Sequence, residues 1–220
     1  VGIADLLLHL LWPVTCPVCG RLGSTGCQEC VSKCIENPGP GARCLECLGP
    51  YPCRLHPGAP AVYSAAWHTG VPRELTHILK YRGRRRLGLV MGRVMADSFK
   101  CEEPGQLVPV PLRPGDARRS NHAMQIARGI ASVWGVRVTE GLVWRRRTDG
   151  QARKTGAARR ALPGRAFGWK GVQPFGSRIV LVDDVCTTGT TLRRAADAIT
   201  EAGGAVICAM TWTASHRGDS

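Results

Sequence analysis

The chain has 220 residues, 44% of them hydrophobic and 21% charged, which suits one substantial core with a small appendage and excludes a disordered chain. A formal net charge of +14 points to an anionic partner, which is nucleic acid, a pyrophosphate-bearing metabolite or both, unless it reflects a generally basic background. Eleven cysteines would fit a secreted disulfide scaffold, but eight of them lie before residue 54, mostly in pairs of metal-binding spacing, and the expectation becomes a cytoplasmic protein.

In chain order, the apolar stretch 4–12 is too short to span a bilayer, carries Asp5 and lacks a basic flank. It reads as a short helix stopped by Pro13. Cys16 with Cys19, and Cys27 with Cys30, form two C-x2-C knuckles. Four soft thiolates on two tight turns suit a tetrahedral zinc site, and a disulfide or redox pair is the plainer alternative. A second set follows in Cys44, Cys47, Cys53 and His56. The ligands can pair sequentially or crossed. Sequential pairing closes shorter loops at lower entropy, and Cys34 is a spare able to replace a neighbour. Four protein ligands leave no open position, so such a metal would be structural. Proline and glycine at 57–60 break the chain, giving a zinc-binding module at 1–58 and a second domain at 59–220.

In the second domain the pattern predicts a strand over 61–67 and helices over 73–80 and 87–99. Between the helices, Lys80, Arg82, Arg84, Arg85 and Arg86 surround Tyr81, a cluster suited to pyrophosphate or a nucleic-acid backbone, or a solvated helix end. A strand at 107–111 runs into a loop with Arg113, Arg118 and Arg119, after which Asn121 starts a helix with Met124, Ile126, Ala127 and Ile130 inward. That arrangement is a candidate anion site. A strand at 142–144 precedes the basic stretch 145–165, which includes Lys154 and Arg159 and reads as a disordered loop or as a lid over a polyanion.

The last third alternates most clearly: a strand at 179–182, a small-residue loop, a helix at 192–199 and a strand at 205–212. At the loop a strand's carboxyl end meets a helix start, so unpaired N–H groups and the helix dipole favour an anion. Thr187, Thr188, Thr190 and Thr191 add hydroxyls, and Gly189 lets the backbone approach. No lysine follows the glycine, so this is not the P-loop of nucleotide triphosphatases. Asp183 and Asp184 stand before the loop, able to accept from sugar hydroxyls or to hold hydrated Mg²⁺. The implied ligand is a phosphorylated sugar. The bland reading is a capped strand-to-helix turn with incidental aspartates. Cys186 reads as a tolerated small residue or as a thiol made reactive by the helix start.

The string VLVDDVCTTGTTL resembles the phosphoribosyl-pyrophosphate (PRPP) signature of type I phosphoribosyltransferases. The resemblance implies that Asp183 and Asp184 bind the ribose hydroxyls as the catalytic pair, and that Cys186, Thr187, Thr188, Gly189, Thr190 and Thr191 form the 5-phosphate loop. With LKYRG at 79–83, LVPVP at 107–111, Asn121 and His122, the whole chain is similar to the ComF family, although Ser120, Leu162 and Arg165 depart from its pattern. That family implies an α/β fold: a type I phosphoribosyltransferase-like parallel sheet flanked by helices, with an N-terminal cysteine-rich zinc module. The cofactors implied are structural Zn²⁺ and Mg²⁺ with PRPP. Lys80, Arg113, Arg118, Arg119, Lys154 and Arg159 become candidates for pyrophosphate or nucleic-acid contacts. Three roles follow: PRPP binding coupled to single-stranded DNA uptake with competence proteins in natural transformation, Mg²⁺-dependent transfer of ribose 5-phosphate to a base or amine, or PRPP sensing.

Overall fold

The computed structural model describes residues 14–36, 39–99, 101, 103–116, 120–145, 166–174 and 176–216. The helix expected at 4–12, Arg118, Arg119, Lys154 and Arg159 lie outside the described residues. The elements are α1 (Gln28–Glu36), β1 (Ala42–Cys44), β2 (Ala61–Trp67), α2 (Gly70–Tyr81), α3 (Arg85–Ser98), β3 (Gln106–Pro109), α4 (His122–Trp134), β4 (Arg137–Val138), β5 (Leu142–Trp144), β6 (Phe167–Trp169), β7 (Arg178–Cys186), α5 (Thr190–Glu201) and β8 (Ala205–Ala214). Six strands form one sheet in the order β1-β2-β8-β7-β3-β4, parallel throughout except for β1 on the edge. This is the α/β architecture that the sequence implies.

Strand β7 lies at the centre because Ile179, Val180, Leu181 and Val182 are apolar on both faces and wholly buried. Such a strand needs cover on two sides. On one face Val180, Val182 and Trp212 meet Leu79, Leu87, Met91, Ile126 and Ile130 from the helices α2 to α4. On the other, Ile179 and Leu181 meet Leu192, Ala195 and Ile199 of α5 and Phe167 of β6. Each fully buried leucine or isoleucine contributes about 1.5–3 kcal/mol.

Helix α4 starts where Asn121 predicts, with its side-chain oxygen accepting from the Met124 N–H at 3.3 Å, and ends at Gly135 in the left-handed region. It crosses α3 at a pair of glycines. A Cβ on Gly92 would meet the Ile126 carbonyl and the Gly129 backbone, and a Cβ on Gly129 would meet the Leu89 carbonyl. The two backbones touch there.

Two features differ from the sequence expectation. Strand β7 does not stop at Val182, because β8 continues beside it and pairs Asp183 with Thr211 and Val185 with Thr213. Strand β5 stands outside the main sheet and pairs antiparallel with β6. Strand β1 pairs with β2, and Val31 and Cys34 of α1 share the core of the sheet. No described helix is long and apolar enough to cross a membrane.

Candidate functional site

The parallel strands end together at their carboxyl edge, where β7 delivers Asp183 and Asp184 on rigid, paired backbone. Asp183 turns its Oδ1 back onto the Asp184 N–H at 2.8 Å, a local bond that fixes the turn. Then Gly189, at φ +70°, swings the chain into α5. Thr187 and Thr188 are exposed, Thr190 and Thr191 half-buried, and the Thr188 and Thr190 hydroxyls lie 3.0 Å apart. Arg193 donates from Nη2 to the Thr188 carbonyl at 3.0 Å and to Thr190 Oγ1 at 3.2 Å. Cys186 brings no side chain to this loop: it is 2% exposed in the core, and burial pushes its thiol up to about 11. The reactive-thiol alternative is corrected by that burial, which disfavours the thiolate.

Beside the aspartates is a cleft of about 170 Å³ lined by Lys80, Arg113, His122, Trp144, Asp183, Asp184 and Thr191, among others. Lys80, from the last turn of α2, places Nζ 3.0 Å from Asp184 Oδ1. His122, the first residue of α4, places Nδ1 3.9 Å from Asp184 Oδ2. Arg113 lies over the Trp144 ring at 5.5 Å, and Trp144 Nε1 donates to the Pro111 carbonyl at 3.0 Å. Two cations, an imidazole, two carboxylates and the Thr191 hydroxyl therefore open onto one space. It suits a ligand with both hydroxyl donors and anionic groups.

Lys80, which the sequence expects on a ligand or nucleic acid, lines the cleft paired with Asp184, while Tyr81, Arg82, Arg85 and Arg86 are exposed. Arg84 is also taken, donating to the Thr15 carbonyl at 2.7 Å. Of the expected anion contacts, Lys80 and Arg113 reach the cleft among the described residues. Trp144 and His68 left no signal in the sequence, since neither belongs to a local motif. His68 meets Thr213 Oγ1 at 2.8 Å; burial first, then the Lys80 and Arg73 charges, hold its pKa below the usual 6.5, against an opposing pull from Asp184.

The cysteines gather into two sets: Cys16, Cys19, Cys27 and Cys30, and Cys44, Cys47, Cys53 and His56, each with donor atoms all within 4.8 Å. The sets are sequential along the chain. In the first, Cys19 and Cys27 sulfurs are 3.7 Å apart. In the second, Cys47 and Cys53 sulfurs are 3.7 Å apart and His56 Nδ1 is 3.5 Å from Cys53. A tetrahedron with metal–sulfur bonds of about 2.3 Å has edges of about 3.8 Å. The spacing thus fits a four-coordinate metal, and both sets can hold one. Backbone N–H groups favour the thiolates as well: Cys27 N–H points at Cys16 Sγ, and Gly49 N–H at Cys47 Sγ. Burial would raise the Cys16 thiol, but the N–H groups of Cys19, Cys27 and Val18 outweigh it and bring it down to about 6. The His56 hydrogen bond brings Cys53 to about 6 too. Cys34 belongs to neither set; it is buried in the core, its thiol raised to about 11 by burial.

Residues 125–219 match the family model of the phosphoribosyl transferase domain, a span from α4 to beyond β8 that takes in the whole β7–α5 turn but less than half of the chain. The protein thus carries a phosphoribosyltransferase domain of the type I fold, with two cysteine clusters ahead of it. Two solved structures are similar over 58% of this chain. One is an allosteric regulatory enzyme of purine biosynthesis, at 25% identity and a TM-score of 0.39, and the other a glutamine PRPP amidotransferase from B. subtilis complexed with ADP and GMP, at 26% and 0.39. The match spans about a quarter of the length of each, 25% and 26%. No curated protein matches the chain.

Proposed function

We propose that the protein binds PRPP with Mg²⁺ in the cleft at the end of β7. The observation that carries this reading is one strand-to-helix connection in which two carboxylates line a cleft with Lys80, Arg113, His122 and Thr191, while the rest of the threonine loop follows directly at the helix start. In this reading Asp183 and Asp184 accept from the ribose hydroxyls. The first N–H groups of α5 and the hydroxyls of 187–191 hold the 5-phosphate. Arg113 and Lys80 face the pyrophosphate, joined by Arg118, Arg119, Lys154 and Arg159 outside the described residues. Mg²⁺ would neutralise pyrophosphate charge there. Zinc is the metal we assign to both cysteine sets, because thiolate-rich, closed, four-ligand sites suit it.

Isothermal titration of the intact protein with PRPP and Mg²⁺ should give saturable binding, weakened at least about tenfold by Asp183→Asn with Asp184→Asn. Unchanged affinity in that variant would sink the site. Pyrophosphate release against a panel of bases and amines separates ribose 5-phosphate transfer from binding or sensing alone.

A second reading, a ComF-type role in handling single-stranded DNA in the cytoplasm, is favoured by the exposed Tyr81, Arg82, Arg85 and Arg86. They supply an aromatic face among cations outside the cleft. DNA affinity should fall steeply with salt, and further on Arg85→Ala with Arg86→Ala. PRPP affinity that ignores added oligonucleotide would argue against coupling of the two roles.

A further inference from the structure

We infer that the Cys44–Cys47–Cys53–His56 cluster positions the phosphate loop, with Arg193 as the residue that joins them. This rests on the reading that 187–191 grips a phosphate.

The observation is one guanidinium shared between two regions far apart in the chain. Nη2 of Arg193 holds the Thr188 carbonyl and the Thr190 hydroxyl, while Nη1 donates to the Leu45 carbonyl at 3.3 Å and the Glu46 carbonyl at 3.0 Å. Leu45 and Glu46 are the two residues between Cys44 and Cys47, the interior of the knuckle itself. A second contact lies beside the first. A Cβ on Gly189 would come within 3.1 Å of Leu48 Cδ2, so the residue just after the knuckle packs directly against the pivot of the loop. Leu48 holds φ +53°, an uncommon conformation for leucine, and its N–H donates to the Cys44 carbonyl at 2.8 Å. Leu45 and Leu48 share a core with Cys186 and Leu192, the residues flanking the loop. The knuckle is therefore a wall of the loop.

A C-x2-C turn has little core of its own, and its shape depends on two sulfurs converging with Cys53 and His56 on one centre. The Leu45 N–H bond to the Pro60 carbonyl holds one side of the knuckle; where the centre is lost, the Glu46 side loosens and the acceptors that Arg193 uses there shift. The Thr188–Thr190 segment then keeps its shape only through its own short contacts. A lysine cannot replace the arginine, since a single ammonium does not span four acceptors in two directions. Metal in this cluster and phosphate in the loop are thus coupled through one side chain, whereas the first cluster has no such contact among the described residues.

The test uses full-length protein with known metal content, and compares Arg193→Gln, Arg193→Lys, Cys53→Ser and the Arg193→Gln/Cys53→Ser double variant. Hydrogen–deuterium exchange over 187–192 without ligand is read first, then PRPP affinity with Mg²⁺. We expect Arg193→Gln to keep both metals, to speed exchange at 187–192, and to weaken PRPP about tenfold. Arg193→Lys should do the same. Cys53→Ser should lose one metal and speed the same amides, and the double variant should be no worse than the stronger single one. If Cys53→Ser fails to fold, the metal-retaining Arg193 variants decide by themselves. Unaltered exchange in those variants overturns the inference, as do fully additive effects. So does weaker PRPP binding with unaltered exchange, since Arg193 would then act on the ligand directly. Should wild-type protein bind no PRPP, the site reading fails, and the exchange measurements still decide the coupling.

Discussion

The two cysteine clusters have similar ligands and sit in unlike places. The first packs as a small island of Cys16, Cys27 and Cys30, moored to the helical side of the domain by α1, by the Arg84 bond to the Thr15 carbonyl, and by Gly26 under Leu87. The second is woven into the sheet: Cys44 closes β1, is wholly buried, and pairs with Ala61 of β2. The same donor chemistry can thus either hold together an appendage or complete a domain's edge. Which it does is decided by the residues between the ligands. In the second knuckle these are Leu45 and Glu46, whose carbonyls accept from Arg193, with Leu45 in the core beside the 187–191 loop.

The largest expected effect contrasts Cys44→Ser with Cys16→Ser by calorimetry and metal content. Cys44→Ser should remove one metal and cost the sheet's unfolding transition about 3 kcal/mol or more. Cys16→Ser should also lose one metal, but move that transition by less than about 1 kcal/mol. Equal losses would erase the distinction between appendage and edge.

A finer contrast uses two glycines at the joints. Gly189 at φ +70° faces Leu48, and Gly26 at φ +157° faces Leu87, whose Cδ1 would lie 2.5 Å from an added Cβ. Alanine at either should destabilise by about 1–2 kcal/mol. Only Gly189→Ala should also weaken PRPP binding, and a comparable loss in Gly26→Ala would mean that the first cluster also governs the site.

The smallest effect isolates acid sensitivity that belongs to neither cluster. His68 is half-buried, and its burial, then the charges of Lys80 and Arg73, hold its folded pKa below the usual 6.5. The unfolded chain then binds the proton more readily. Its contribution is complete above about 6.5 and is lost as pH falls toward the folded value. At constant metal content, His68→Asn should flatten the stability profile in that window, and an unchanged slope would assign it elsewhere.

Much of this arrangement is written locally. The run 179–182 is legible because a strand buried on both faces has no polar residue to interrupt it, and Asn121 because a cap acts within three residues. The cysteine sets are legible because x2 spacing is a property of one turn. What stays hidden depends on distant partners. The three residues of β1 carry no alternation, and the partner of β5 lies beyond the basic stretch. Lys80 reads as one more charge in a basic run until α2 aims it at Asp184. Arg193 looks like any helix arginine, because its two acceptors on the knuckle are 148 and 147 residues away.

The glycine crossing of α3 and α4 reaches further than packing. His122 leaves from the first residue of α4, and Gly92 and Gly129 let α4 lie against the backbone of α3, the helix that follows the one carrying Lys80; a wider crossing is therefore expected to shift His122 relative to Lys80 across Asp184. That crossing works as a remote caliper. A methyl group inserted there would widen the jaws around the carboxylate without touching a single residue that meets the ligand.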